Sequence, residues 1–211
     1  MAGYVIDESR IKDLQKIGVR DSKELSPARR ETLEKSLTKM ADNIIVLKLS
    51  AEDIDKLRSE TNLNRIEARK MKDIINSVDS DKVFIDSVEA NTEKFKREII
   101  AGLSVELKKR INKKEMNIIC ENFADKKYPV VAAASIMAKV NRDRDINELK
   151  KEFGSIGSGY SSDPVTIKFL KDWIEKNKNY PGFVRRSWLT AKEIIDEKKQ
   201  RQIGDFIVSE N

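Results

Sequence analysis

The chain has 211 residues, enough to bury a core of its own, and charged side chains make up 37% of it against a typical quarter. Lysine and arginine outnumber acids 42 to 36, and the resulting +6 permits a polyanionic partner without demanding one. With no histidine and one cysteine, Cys120, the chain excludes a Ser-His-Asp triad, a histidine metal site, a thiolate zinc cluster and an intrachain disulfide.

Any metal must therefore be held by oxygen, which favours Mg2+ or Mn2+. No apolar run is long enough to span a membrane, and Asp7 and Glu8 interrupt any leader-like stretch, so a cytoplasmic protein is the expectation.

In chain order, Ala2–Ile6 reads as a short strand and 21–25 as a loop. Ser26-Pro27 starts a helix, with the serine as N-cap and the proline in the first turn, and Leu33, Leu37 and Met40 follow at helical spacing. Asn43–Leu49 is a strand, Ser50–Asp53 resembles a capping box, and Leu63–Val78 is an amphipathic helix. Val83-Phe84-Ile85 is a short buried strand ending at Asp86. Asn91-Thr92 caps a helix that breaks near Gly102 and continues to about Ile111, and Asn117–Cys120 is a further strand. Pro129 opens a long helix, rich in alanine and then charged to Lys151. After the glycines at 154, 157 and 159, Asp163-Pro164 starts another helix. Thr190 is expected to cap a last one through about Gln200. Strands alternating with helices indicate an α/β fold.

The informative pair is Asp86 and Asp125. The first ends a strand; the second lies between the next strand and the Pro129 helix. Strand C-termini and helix N-termini line the ligand crevice of α/β sheets, and two carboxylates there suit a hard cation. Spacing alone leaves the plainer alternative open, that they are an ordinary strand-end residue and an ordinary helix-start residue.

The flanking residues go further. Arg20–Leu25 (Arg-Asp-Ser-Lys-Glu-Leu), Ile85-Asp86 with Asn91–Phe95, the tract Ala124–Arg144, Gly157-Ser158-Gly159-Tyr160 with Ser162-Asp163-Pro164, and Arg185 with Trp188 together resemble type 2 ribonuclease H, particularly its archaeal form. They occur in that family's order over residues 2 to about 200. The resemblance implies a ribonuclease H-like mixed sheet flanked by helices, with a helical C-terminal part. It implies a metal-dependent endonuclease that cleaves the RNA strand of RNA–DNA hybrids and incises at ribonucleotides embedded in duplex DNA. Asp86 and Asp125 match two of its four metal-binding carboxylates, which would hold Mg2+ or Mn2+. Tyr160 matches the tyrosine at the ribonucleotide–deoxyribonucleotide junction, and Lys23 and Lys139 match basic residues near the phosphates. Arg185 is a further candidate phosphate contact.

One family feature is missing. The first strand, carrying Asp-Glu-Ala-Gly-Arg-Gly and the other two carboxylates, has no counterpart here, and Met1–Ile6 aligns with the second strand. In the family that first strand lies between the second and the fourth, so the expectation is an internal methionine at position 1, two strands without a partner, and low stability and activity for the chain as written. Asp7-Glu8 imitates the missing pair, but no glycine follows it and Asp21 is only 14 positions further on, so it reads as a polar strand end. The alternative function is a non-catalytic, hybrid-binding member of the family.

The expected organisation is a core over 1–153, a helical substrate-binding part over 154–199, and a tail over 200–211. Gln200, Ile203, Phe206 and Ile207 in that tail resemble a sliding-clamp-binding peptide, with packing on the domain itself as the alternative. Lys108-Lys109-Arg110 and Lys113-Lys114 read as solvated faces, Trp173 and Trp188 as core, and Cys120 as a small buried hydrophobe. A monomer is the default expectation.

Overall fold

The structure is a computed structural model that describes residues 1–19 and 22–209, without the side chains of 202–209. It forms two compact units, one comprising 1–48 and 62–142, the other 49–61 and 143–211.

In the first unit β1 (Ala2–Val5) leads through a single 3-10 turn (Glu8–Arg10) into α1 (Ile11–Lys16) and α2 (Pro27–Met40). Ser26 caps α2 by accepting a hydrogen bond from the Arg29 amide at 3.2 Å, with Pro27 in the first turn, as the sequence predicts. β2 (Asn43–Val46) returns antiparallel to β1, pairing Gly3 with Ile45. In the second unit α3 (Ala51–Glu60) opens on a capping box in which Ser50 and Asp53 satisfy each other's amides.

The chain then re-enters the first unit with α4 (Leu63–Asn76), β3 (Lys82–Asp86), α5 (Thr92–Ala101), α6 (Val105–Asn112) and β4 (Asn117–Glu121). β4 lies parallel to β3, the ladder running from Lys82 beside Asn117 to Asp86 beside Glu121. A one-turn helix, α7 (Ala124–Lys127), precedes the long α8 (Pro129–Phe153). Thus Asp125 sits inside a helical turn of its own, ahead of the Pro129 helix.

The second unit continues with α9 (Pro164–Lys176), capped by Asp163, and α10 (Leu189–Ser209). α10 starts two residues earlier than a helix capped by Thr190 would, and ends later than the sequence reading. Thr190 lies within it, its hydroxyl donating to the Ser161 carbonyl at 3.4 Å. Among the described residues no helix is long and apolar enough to cross a membrane.

Two cores fill the first unit. Tyr4, Leu14, Leu33, Leu37, Ile136 and Val140 form one, with the Tyr4 hydroxyl donating to the Leu37 carbonyl at 2.8 Å. Burial pushes the Tyr4 phenol up to about 12. Ile85, Phe95, Ile99, Leu107, Ile118 and Cys120 belong to the other. The second unit has its own cluster, in which Leu170, Ile174, Tyr180 and Ile194 are buried and Trp173 and Trp188 pack against them.

The two ladders stay separate among the described residues. Met1 and Leu47 exchange amide–carbonyl bonds, both 3.0 Å, so with the two-residue period Gly3 and Val5 also face β2. Ala2 and Tyr4 therefore turn their backbone groups the other way. In the parallel ladder the Asp81 carbonyl and the Ser87 amide bond to Asn117 and Glu121 at 2.8 Å, which turns the backbone of Lys82, Phe84 and Asp86 away from β4. Both outward edges line one trough of about 650 Å3. Its walls include Ile74 and Ile75 of α4 and Val131 and Ala134 of α8. A Cβ on Gly3 would stand 2.6 Å from Ile74 Cγ2, so β1 lies tight against α4 on the face opposite Tyr4. The Glu8 carboxylate accepts from Lys82 Nζ at 2.7 Å beside the trough.

Leu37 is fully buried between β1, α2 and α8. Replacing it with alanine is expected to cost about 2–5 kcal/mol through lost burial and the cavity left behind. Urea unfolding followed by circular dichroism checks this; an unchanged midpoint would remove Leu37 from the core.

Candidate active site

Asp86 is delivered by the parallel ladder. Hydrophobic Val83 and Ile85 pack into the second core and leave the strand's last side chain at the C-terminal edge. There it meets the turn after β4. Phe123 has φ 58° and ψ 35°, a left-handed conformation costing on the order of 1–2 kcal/mol for a bulky residue. That turn aims successive backbone amides at Asp86: the Ala124 N–H donates to Asp86 Oδ1 at 3.0 Å, and the Phe123 N–H contributes as well. Asn122 braces the turn, its side-chain amide donating to the carbonyls of Glu89 at 2.9 Å and Ser87 at 3.3 Å.

Asp125 follows on α7, 7% exposed. Its charge acts directly on Asp86. Burial raises the Asp86 carboxyl above its usual range and the Asp125 charge adds to this. The Ala124 amide, Lys23 and the Phe123 amide work in the other direction. Two carboxylates that line one trough and act on each other leave a negative site that a hard divalent cation fits by its oxygen donors. Among the described residues no third acid joins them to make a cluster of three.

The structure brings Lys23 near this pair, close enough to act on Asp86. Lys139 Nζ donates to the fully buried Ser22 hydroxyl and to Ser135 Oγ at 3.3 Å. Ser22 and Ser135 lie 2.8 Å apart, so the cation braces the loop carrying Lys23 against α8. Arg20 and Asp21 of that loop lie outside the described residues.

Asp7 and Glu8 have other employment. Asp7 caps the 3-10 turn by accepting from the Ser9 amide at 2.9 Å, and Glu8 pairs with Lys82. Arg110 of the basic stretch forks onto Asp79 at 2.5 Å and Asp81 at 2.7 Å, which neutralises it locally. Cys120 is buried, and desolvation raises its thiol above the usual value.

Tyr160 and Arg185 belong to the second unit. Tyr160 is 47% exposed at the end of a glycine loop held from below. One Asp163 oxygen accepts from the Ser158 amide at 2.5 Å and hydroxyl at 2.7 Å, and from Thr166 Oγ1 at 3.1 Å. Gly159 N–H donates to the same threonine hydroxyl at 3.0 Å. Gly157 sits at φ 74°, and a Cβ there would fall 2.6 Å from the Thr166 amide, so only glycine closes this loop. Arg185 lies 5.8 Å from the Trp188 ring centroid, and the amides of Arg186 and Ser187 donate to Asp55 at 2.6 and 3.1 Å. Gln200 is exposed in α10; the side chains of Ile203, Phe206 and Ile207 lie outside the described residues.

Sequence reasoning missed Phe123 and the Ser22–Lys139–Ser135 brace. A left-handed phenylalanine carries no local signal, and the brace joins positions 113 and 117 residues apart.

The hydrogen bonds to Asp163 hold its carboxyl well below the usual carboxylate range, the Ser158 amide contributing most. A lowered folded value means the carboxylate stabilises the loop above its unfolded value, near 3.9, and loses that effect as pH falls further. Asp163→Asn should lower the melting temperature at pH 7 and flatten its decline below pH 4. Scanning calorimetry from pH 7 to pH 2 measures both; parallel curves for variant and wild type would contradict it.

The model of the family described as ribonuclease HII matches residues 1–191. The ribonuclease HII of Thermococcus sibiricus is 44% identical over 204 residues, 96% of this chain and 86% of that protein. The ribonuclease H2 crystal structure from Pyrococcus horikoshii superposes with a TM-score of 0.80 at 39% identity, over 91% of this chain and 87% of that one. The structure of a PCNA:RNase HII complex from Archaeoglobus fulgidus gives 0.77 at 36%, over 92% and 86%. With a match of this length and identity behind the geometry at Asp86 and Asp125, the chain belongs to the ribonuclease HII family.

Proposed function

We propose that this chain is an endonuclease that hydrolyses the RNA strand of RNA–DNA hybrids and incises at ribonucleotides embedded in duplex DNA, using Mg2+ or Mn2+. Membership of the ribonuclease HII family supports the reaction class. The observation that carries the chemistry is the pairing of half-buried Asp86 with buried Asp125. Both would bind the cation by their oxygens, and the Ala124 and Phe123 amides keep Asp86 aimed at it. A bound divalent cation supplies the charge that lowers the pKa of a water and neutralises the leaving oxygen. Lys23, whose charge reaches Asp86, would meet a substrate phosphate, with Lys139 holding its loop in place. Tyr160 offers an exposed ring for the ribonucleotide junction, and Arg185 a cation for the backbone.

Two carboxylates are few for a site of two cations about 4 Å apart. The trough between β1 and β3 suits one further extended strand. Its two edges present the backbone of Ala2 and Tyr4 on one side and of Lys82, Phe84 and Asp86 on the other. A strand seated there would join both ladders into one sheet and could bring further carboxylates beside Asp86. The tail at Gln200, Ile203, Phe206 and Ile207 is the proposed contact for a sliding clamp, a reading supported by the relative solved in complex with PCNA.

Duplex DNA with a single embedded ribonucleotide, incubated with Mg2+ and then Mn2+, tests the main reading. Incision should fall by on the order of a hundredfold or more in Asp86→Asn, because loss of a direct ligand exceeds the usual cost of losing its supporting partner. Binding of the duplex should persist. Undiminished incision by the variant would remove Asp86 from the chemistry.

A further inference from the structure

We propose that the ring of Phe123 is a stacking surface for a nucleobase or sugar of the bound nucleic acid, placed at the mouth of the Asp86–Asp125 site. The inference rests on the nuclease reading and adds a substrate contact to it.

Phe123 is 65% exposed, one of few large apolar side chains so placed, and it belongs to none of the apolar clusters among the described residues. Its conformation makes that exposure unusual. A left-handed backbone is ordinarily left to glycine or asparagine, yet here it carries a phenylalanine whose ring gains little burial in return. A strained residue persists where its surroundings over-determine it, and those here do. Asn122 is tied to Glu89 and Ser87, the Ala124 amide is tied to Asp86, and the Phe123 carbonyl accepts from the Lys126 amide at 3.0 Å. The ring therefore stands on a fixed base.

Its position gives that base a use. One residue separates Phe123 from Asp125, and the adjacent amide orients Asp86. Lys126 Nζ lies 5.8 Å from the ring centroid. An exposed aromatic face with a cation at its side, next to acidic metal ligands, offers the alternation a nucleic acid presents: a flat apolar unit, then a phosphate. An aromatic surface for protein docking would need an apolar surround; here Lys126 stands beside the ring, and Asn122 and Lys127, close by in the chain, are polar or charged.

The test is equilibrium binding of a fluorescein-labelled RNA–DNA hybrid to the full chain in EDTA, so that cleavage does not intervene, with Phe123→Gly, Phe123→Asn and Phe123→Trp. Loss of one stacked base corresponds to a Kd raised about 5- to 150-fold. Glycine and asparagine should show this rise while their melting temperatures stay level or increase, since both accept the left-handed backbone. Tryptophan should bind within about threefold of wild type. The salt dependence of binding should keep its slope in Phe123→Gly, whereas Lys126→Gln should reduce it by about one. An unchanged Kd for the glycine and asparagine variants overturns the proposal, and so does a weakened Kd accompanied by a lower melting temperature and no recovery with tryptophan. A folded wild-type chain that fails to bind the hybrid overturns the nuclease reading, and this inference with it.

Discussion

The hydrogen bond from the Ala124 amide to Asp86 joins positions 38 residues apart and fixes where the parallel ladder ends relative to the turn that follows it. A carboxylate partly withdrawn from water needs donors, and here the backbone amides of Ala124 and Phe123 supply two. The left-handed residue at 123 is the condition for this. By reversing the chain, it turns two consecutive amides toward Asp86 and sets α7 so that Asp125 arrives at the same place. The strain at one residue, the burial of two acids and the direction of a short helix are thus one arrangement.

The same economy recurs in the second unit. Asp163 caps α9 and at the same time gathers Ser158 and Thr166, and through Thr166 the amide of Gly159. Tyr160 follows directly, so the helix start and the presentation of the ring have one cause. In both units an acid near an element's end holds a loop by accepting several bonds, and the chain does this without a histidine.

Much of the fold could be read from local chemistry. Ser26, Ser50, Asn91 and Asp163 each stand where a cap is needed, and the structure uses every one of them. The strands ending at Asp86 and preceding Asp125 were legible as apolar runs with a carboxylate beyond. The remainder depended on distance. That α10 passes Gln200 without a stop reflects the absence of any proline or strong breaker before Ser209; Gly204 alone does not end it. The fork of Arg110 onto Asp79 and Asp81 and the brace of Lys139 on two serines each join residues that no local pattern connects. Phe123 escaped notice because its backbone conformation is dictated by what it must aim, and its own side chain gives no hint of it.

Cys120 sits on β4, opposite Ile85 and one step from the end of the ladder that carries Asp86. It is the chain's sole thiol, 6% exposed, with its ionisation further suppressed by desolvation. A disulfide reagent in solution can therefore reach it only when β4 parts from its surroundings. The rate of its modification reads the opening of this ladder on a background free of any other sulfhydryl. The chain thus carries a built-in clock for the local breathing of its own acidic site, one that any ligand bound at Asp86 and Asp125 would slow.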